Sequence, residues 1–257
     1  MGRITETVKV LLICNVLFFI GKLSMPEVSD HLFALHYPEN PNFQYWQIVT
    51  HMFMHASFPH ILFNMFGLYM FGSPLEARWG RNKFLFFYFS AGLGAALIHS
   101  GVSYLQFTNI YNDYLATGLS NSEIYGLMDE VLEKSAASVD GYIRMNMPNN
   151  LSLDSLIQMT SIYNGQAVGA SGAIYGILVA FGMMYPNVEL MLIFLPIPVK
   201  AKYFIPALLL LDLFSGLTGF SLFGQNIANW AHLGGALFGF IMAYYWKKNS
   251  FNDHRWN

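Results

Sequence analysis

The sequence predicts an all-α polytopic membrane protein, a bundle of six transmembrane helices with a helical extramembrane insert between the third and fourth. Two observations carry this. Hydrophobic residues make up 54% of the chain and charged residues 11%, against roughly 45–50% and 25% in soluble domains. The apolar residues also gather in long runs almost free of charge, as they do where lipid is the solvent. The chain has 257 residues, of which six spans of roughly 20 use about half. Residues 1–257 are therefore read as one membrane domain, with a polar insert over about 106–167.

The spans are placed at Val8–Leu23, Ile61–Leu75, Phe84–Leu105, Val168–Tyr185, Phe204–Phe220 and Ile227–Trp246. Each is read as a helix because lipid offers no partner for an unsatisfied backbone group. The first follows Arg3 and Lys9 as a secretory signal would. No small-x-small cleavage site follows in Gly21-Lys22-Leu23-Ser24-Met25, so a retained span is expected. Glu6 stands where a myristoylation motif needs Ser or Thr. Before the second span, Ser57-Phe58-Pro59 is a helix-start signal with Ser57 as cap. It leaves His51 and His55 ahead of the helix and puts His60 and Asn64 on its first turns. Glu189–Ala201 is apolar but holds Pro196 and Pro198, and is read as an interfacial or re-entrant strip.

With the N-terminus cytoplasmic, ten of the 13 Lys and Arg residues fall inside and only Lys22, Lys134 and Arg144 outside. The positive-inside rule then places both termini in the cytoplasm. The insert lies outside, with seven acids (Asp113, Glu123, Asp129, Glu130, Glu133, Asp140, Asp154) against two bases. Ser120-x-x-Glu123 opens one amphipathic helix there, and Ser152 to Tyr163 a second. No basic patch points to nucleic acid. Cys14 is the only cysteine, which excludes an internal disulfide or a cysteine metal site, and it is read as a small hydrophobe.

Polar groups inside apolar spans are costly unless satisfied or used. Three clusters stand out: Gly169-Ala170-Ser171-Gly172-Ala173, Ala231-His232-Leu233-Gly234-Gly235 and His60-x-x-x-Asn64. Alone, each has a plainer reading, as a small-residue packing face, an interior histidine, or a pair bonding neighbouring helices. Under the assigned topology all three enter their spans from outside, at one shallow depth. A serine, a base and hydrogen-bond donors then meet. Histidine, with a pKa near 6.5, suits the proton transfer that makes a serine hydroxyl nucleophilic. Gly235 and Gly239 can let the His232 helix pack tightly on that of Ser171.

The run from His51 to Asn64, together with Gly169-Ala170-Ser171-Gly172 and Ala231-His232-x-x-Gly235, closely resembles the rhomboid intramembrane serine proteases. Glu76-x-Arg78 and Leu211-Asp212-Leu-Phe-Ser215-Gly216 fit the resemblance too. It implies a Ser171–His232 dyad, and an oxyanion site from His60, Asn64 and the Ser171 backbone N–H. Tyr175 packs on the catalytic histidine, Gly169, Gly172 and Gly235 support the site, and Glu76 and Arg78 are structural. It further implies cleavage of single-span or other membrane-protein substrates near the outer face of the bilayer, without a cofactor, by a multi-pass protein of a bacterial inner membrane. The departures are Gln47 after Trp46, where some relatives carry arginine, and the long insert.

Rival readings are weaker. A zinc site at His51 and His55 lacks the glutamate of a His-Glu-x-x-His motif, since Met52 holds that slot, so no metal is expected. A catalytically silent membrane-protein-binding relative would have lost Ser171 or His232. A transporter would show repeated halves and broken helices in matching positions. Asp212 is a candidate third member of a triad, but the resemblance implies a dyad and Asp212 is read as a helix-packing hydrogen bonder.

Overall fold

A computed structural model describes residues 3–133, 152–192, 195–220 and 228–249. Lys134, Asp140, Arg144 and Ile227, used above to place the insert, the topology and the sixth span, lie outside the described residues. In chain order the helices are α1 (Glu6–Ser24), α2 (Pro26–Phe33) and α3 (Gln47–Thr50), which runs into a 3₁₀ turn His51–Phe53. Then come α4 (Phe58–Gly67), a π-helical turn Leu68–Gly72, α5 (Ser73–Trp79), α6 (Arg81–Leu115), α7 (Asn121–Glu133) and α8 (Leu153–Asn164). The chain continues with α9 (Ser171–Met184), strands β1 (Glu189–Leu192) and β2 (Leu195–Lys200), α10 (Ala201–Thr218) and α11 (Asn229–Asn249). Among the described residues α1, α6 and α10 are long and apolar enough to cross a membrane, and α9 is a shorter apolar helix.

Two compact units form, one of Met1–Leu35, Tyr45–His99 and Ala167–Asn257, the other of His36–Gln44 and Ser100–Gln166. The first is organised on α9, which is buried nearly all round, with Ala173, Ile174, Ile177, Ala180 and Phe181 in the core. Its most extensive partner is α11. Glycines make this possible. A Cβ at Gly235 would fall on the Gly172 carbonyl, and one at Gly239 would lie 2.5 Å from the Gly176 Cα.

Helix ends follow local chemistry. The Ser57 hydroxyl accepts from His60 N–H at 3.3 Å and caps α4. Gly80, at φ 77, separates α5 from α6. Gly219, at φ 72, stops α10 two residues short of the predicted Phe220. The first turn of α1 has no side-chain cap of its own. Glu76 of α5 supplies one, accepting from the N–H groups of Thr7 and Val8 at 2.9 Å each and from the Thr5 hydroxyl.

Within the strip expected over Glu189–Ala201, residues 189–192 and 195–200 pair antiparallel, Glu189 with Lys200 and Met191 with Pro198, and the open edges of a two-stranded ribbon tolerate a residue without an N–H. One expectation is corrected. The third helix does not end at Leu105 but runs to Leu115, because its last turns are amphipathic and build the second unit. There Phe107 and Tyr114 bury against Ile124, Leu127 and Met128 of α7 and Leu156 and Met159 of α8. Ser120 with Glu123, and Ser152 with Ser155, close the capping boxes that start α7 and α8.

Candidate active site

Ser171 is the first residue of α9, and His232 lies on the first turn of α11. The close α9–α11 crossing brings them together, with His232 Nε2 2.9 Å from Ser171 Oγ. That is within the reach a general base needs. Tyr175, one turn after Ser171, stacks on the imidazole with centroids 4.1 Å apart and planes 11° from parallel. The opposite ring nitrogen of His232, Nδ1, is 3.3 Å from Asp212 Oδ1 on α10.

Ahead of Ser171 the chain turns through Gly169, at φ 126, a conformation open to glycine and strained for other residues. Its N–H donates to the His51 carbonyl at 2.9 Å, tying this loop to the 3₁₀ turn. A Cβ at Gly169 would sit 2.8 Å from His60 Nε2 and 3.5 Å from Ser171 Oγ. The glycine therefore leaves the space in which the His60 ring stands beside the serine. The Ser171 N–H opens a helix, so the helix itself offers it no acceptor. Asn64 is buried one turn along α4, where its Nδ2 donates to the His60 carbonyl at 2.9 Å. A primary amide has two hydrogens, so one remains for another acceptor.

Hydrogen bonds and burial hold the loop before α4. His51 Nδ1 bonds the Gln47 carbonyl at 2.9 Å, and Gln47, fully buried, donates from Nε2 to the His31 carbonyl at 3.0 Å. The departure at Gln47 thus ties α3 to α2. His55 is buried and meets His60 edge to face, centroids 5.0 Å apart. Both loop histidines lie outside the apolar spans. Burial pushes the His51 pKa down to about 4 and the His55 pKa down to about 3, with the neighbouring His99 and His60 respectively adding to it. Among the described residues no three His, Cys, Asp or Glu side chains gather as a metal site.

His99 of α6 is not among the residues that the sequence pattern singles out. It lines a cavity of about 20 Å³ with His51, Gly169, Ser171 and Gly172, and its buried Nδ1 has no hydrogen-bond partner among the described residues. The available signal is a single ionisable residue after the apolar Ala95-Ala96-Leu97-Ile98, within a span.

Comparison with known proteins agrees with this architecture. The rhomboid-domain family model matches residues 42–161 and 150–249. The chain belongs to the rhomboid family, a class of integral membrane proteins. It is 27% identical over 187 residues to rhomboid protease GlpG of Pectobacterium atrosepticum, covering 70% of this chain and 63% of that protein. It is 30% identical over 140 residues to rhomboid protease AarA of Providencia stuartii, covering 52% and 48%. An uncharacterised mitochondrial rhomboid protein of Schizosaccharomyces pombe is 25% identical over 217 residues, covering 80% and 53%. The chain thus spans between about half and 63% of the length of these curated relatives.

Proposed function

We propose that this protein is an intramembrane serine endopeptidase in which Ser171 is the nucleophile and His232 its base. The single observation that carries the proposal is the 2.9 Å contact between Ser171 Oγ and His232 Nε2. Membership of a family in which two of the relatives above are named proteases supports it. In the reaction Ser171 Oγ attacks the scissile carbonyl carbon as His232 Nε2 takes its proton. Negative charge gathers on the carbonyl oxygen, where the Ser171 N–H, His60 and Asn64 donate to it. Collapse breaks the C–N bond, and the imidazolium returns the proton to the leaving amine. A water then attacks the acyl-serine with His232 again as base, releasing the second product and restoring Ser171. The cavity beside Ser171, about 20 Å³, has room for one such water.

The topology in this reading is six spans with both termini cytoplasmic, in a bacterial inner membrane. His60, Ser171 and His232 all lie on the first turns of their helices. Spans two, four and six begin on the outer side, so the cut falls near the outer end of a substrate's transmembrane helix. Such a helix must unwind to present a peptide bond, and glycine or proline near the cut eases this.

The test is cleavage of a panel of single-span reporters by the purified chain in detergent. Wild type should cut, and Ser171→Ala and His232→Ala should fall to background. Serine-reactive phosphonates should abolish activity and chelators should leave it unchanged. A folded wild type that leaves every helix-weakened reporter intact, or activity lost to chelator and restored by zinc, would overturn the reading.

A further inference from the structure

We propose that Asp212 is the positioning residue of His232, holding it in the tautomer that can accept the Ser171 proton. This rests on the serine-protease reading above and extends it from two residues to three. The imidazole is held on three sides. Its face lies on the Tyr175 ring at 4.1 Å, its Nε2 meets Ser171 Oγ at 2.9 Å, and its Nδ1 meets Asp212 Oδ1 at 3.3 Å.

A neutral imidazole carries one proton, and a carboxylate can only accept. With Asp212 facing Nδ1, the proton sits on Nδ1 and the Nε2 lone pair is left pointing at the serine hydroxyl. Without the carboxylate the ring is free to carry its proton on Nε2, the form that cannot act as base. The same carboxylate faces the positive charge that appears on His232 once it has taken the serine proton. A 3.3 Å contact is longer than the roughly 2.7–2.9 Å of a strong charge-assisted bond, and such contacts often tighten only when substrate is bound.

The surroundings suit this role. The Asp212 side chain is 10% exposed, and Oδ2 has no hydrogen bond among the described residues. The Tyr175 hydroxyl also stands beside the carboxylate. Three residues along α10, Ser215 accepts from Asn229 Nδ2 at 3.0 Å, and Asn229 lies three residues before His232 on α11. The two antiparallel helices are therefore joined by two adjacent rungs, Asp212–His232 and Ser215–Asn229. Only the first touches the imidazole, so the second is a built-in control for helix packing.

The experiment uses the full chain as wild type, Asp212→Asn and Ser215→Ala. It measures kcat and KM on a transmembrane reporter, the thermal midpoint, and the ¹⁵N spectrum of labelled histidine, with His232 assigned by its loss in His232→Ala. Wild type should carry the His232 proton on Nδ1. Asp212→Asn should move it to Nε2 and lower kcat by about 10²–10⁴-fold while KM stays within about threefold. Ser215→Ala should keep the wild-type tautomer and kcat, whatever it does to the thermal midpoint.

The proposal is overturned if Asp212→Asn keeps wild-type kcat and tautomer, or if Ser215→Ala loses kcat to the same extent. A wild-type spectrum with the proton on Nε2 overturns it as well, and that measurement stands even if Asp212→Asn does not fold. Failure of the parent reading looks different. There the wild type does not cleave, or its cleavage survives Ser171→Ala, while the spectra still report whether Asp212 orients His232.

Discussion

Replacing Gly235 by alanine should disable the site without touching a reacting atom. Gly235 lies three residues after His232 on α11, and Gly172 directly follows Ser171 on α9. A methyl group at 235 would fall on the Gly172 carbonyl, a backbone group that cannot rotate away as a side chain could. One turn on, Gly239 also crosses Gly176 on bare backbone, with a Cβ there 2.8 Å from the Gly176 carbonyl oxygen. To regain ordinary contact the helices must part by on the order of 1 Å. The Ser171–His232 contact of 2.9 Å would then stretch past hydrogen-bond reach. A misplacement of about 1 Å costs about 10²-fold in rate, and overpacking costs about 1–3 kcal/mol of stability. The assay is kcat/KM and thermal midpoint for Gly235→Ala beside Gly101→Ala, a helical glycine with nothing near its Cβ position. Gly101→Ala should be neutral or stabilising by about 0.5–1 kcal/mol. Wild-type rate and midpoint in Gly235→Ala would refute the claim that bare backbone contact sets the Ser171–His232 distance.

Other outcomes follow from the same geometry. His60→Ala and Asn64→Ala should each lower kcat by on the order of 10²–10³-fold or less, and the double variant by less than the product, since both donors serve one oxygen. Full activity in both single variants at matched stability would leave a backbone-only oxyanion site. Glu76→Gln should lower stability by about 1.5–3 kcal/mol, because the carboxylate accepting at the start of α1 loses its charge, while the Ser171–His232 contact is left intact. An unchanged unfolding midpoint would contradict that capping role. Burial opposes ionisation of Glu76, but hydrogen bonds from Thr5, Thr7 and Val8 outweigh it and hold the carboxyl below its usual range. Acid should destabilise the fold through the loop histidines. Unfolded, they take up protons below about pH 6.5, whereas folded His51 and His55 stay neutral to about 4 and about 3. Stability therefore falls with pH from about 6.5 towards 4, and a flat unfolding midpoint between pH 7 and 4.5 would show that these side chains are not buried neutral.

Much of the site is legible in the residues because the forces involved are local. Ser57 caps α4 through a bond to His60, three residues on, and so fixes which residues open the helix. The glycines around Ser171 and His232 announce a close helix crossing by their spacing alone. A capping box at Ser120 marks one helix of the insert. Helix lengths are less legible. The pattern of apolar residues ends α6 at Leu105, because Phe107, Tyr111 and Tyr114 bury themselves only when α7 and α8 pack against them. Glu189–Ala201 reads as an interfacial or re-entrant strip, since proline suppresses both helix and strand signals and only the partner strand shows the pairing.

Composition and the runs of apolar residues suffice for a helical membrane protein, short-range spacing for the clusters holding Ser171, His232, His60 and Asn64, and the family resemblance adds Tyr175. Other features exist only once the helices have packed. Glu76 caps a helix 68 residues away in the chain at Val8, His99 faces the cavity beside Ser171, and Asp212 meets the Nδ1 of His232. Each depends on the register at which two helices cross. That register is set by the summed packing of many apolar side chains and bare glycine backbones, and it leaves no local pattern around the residue that benefits.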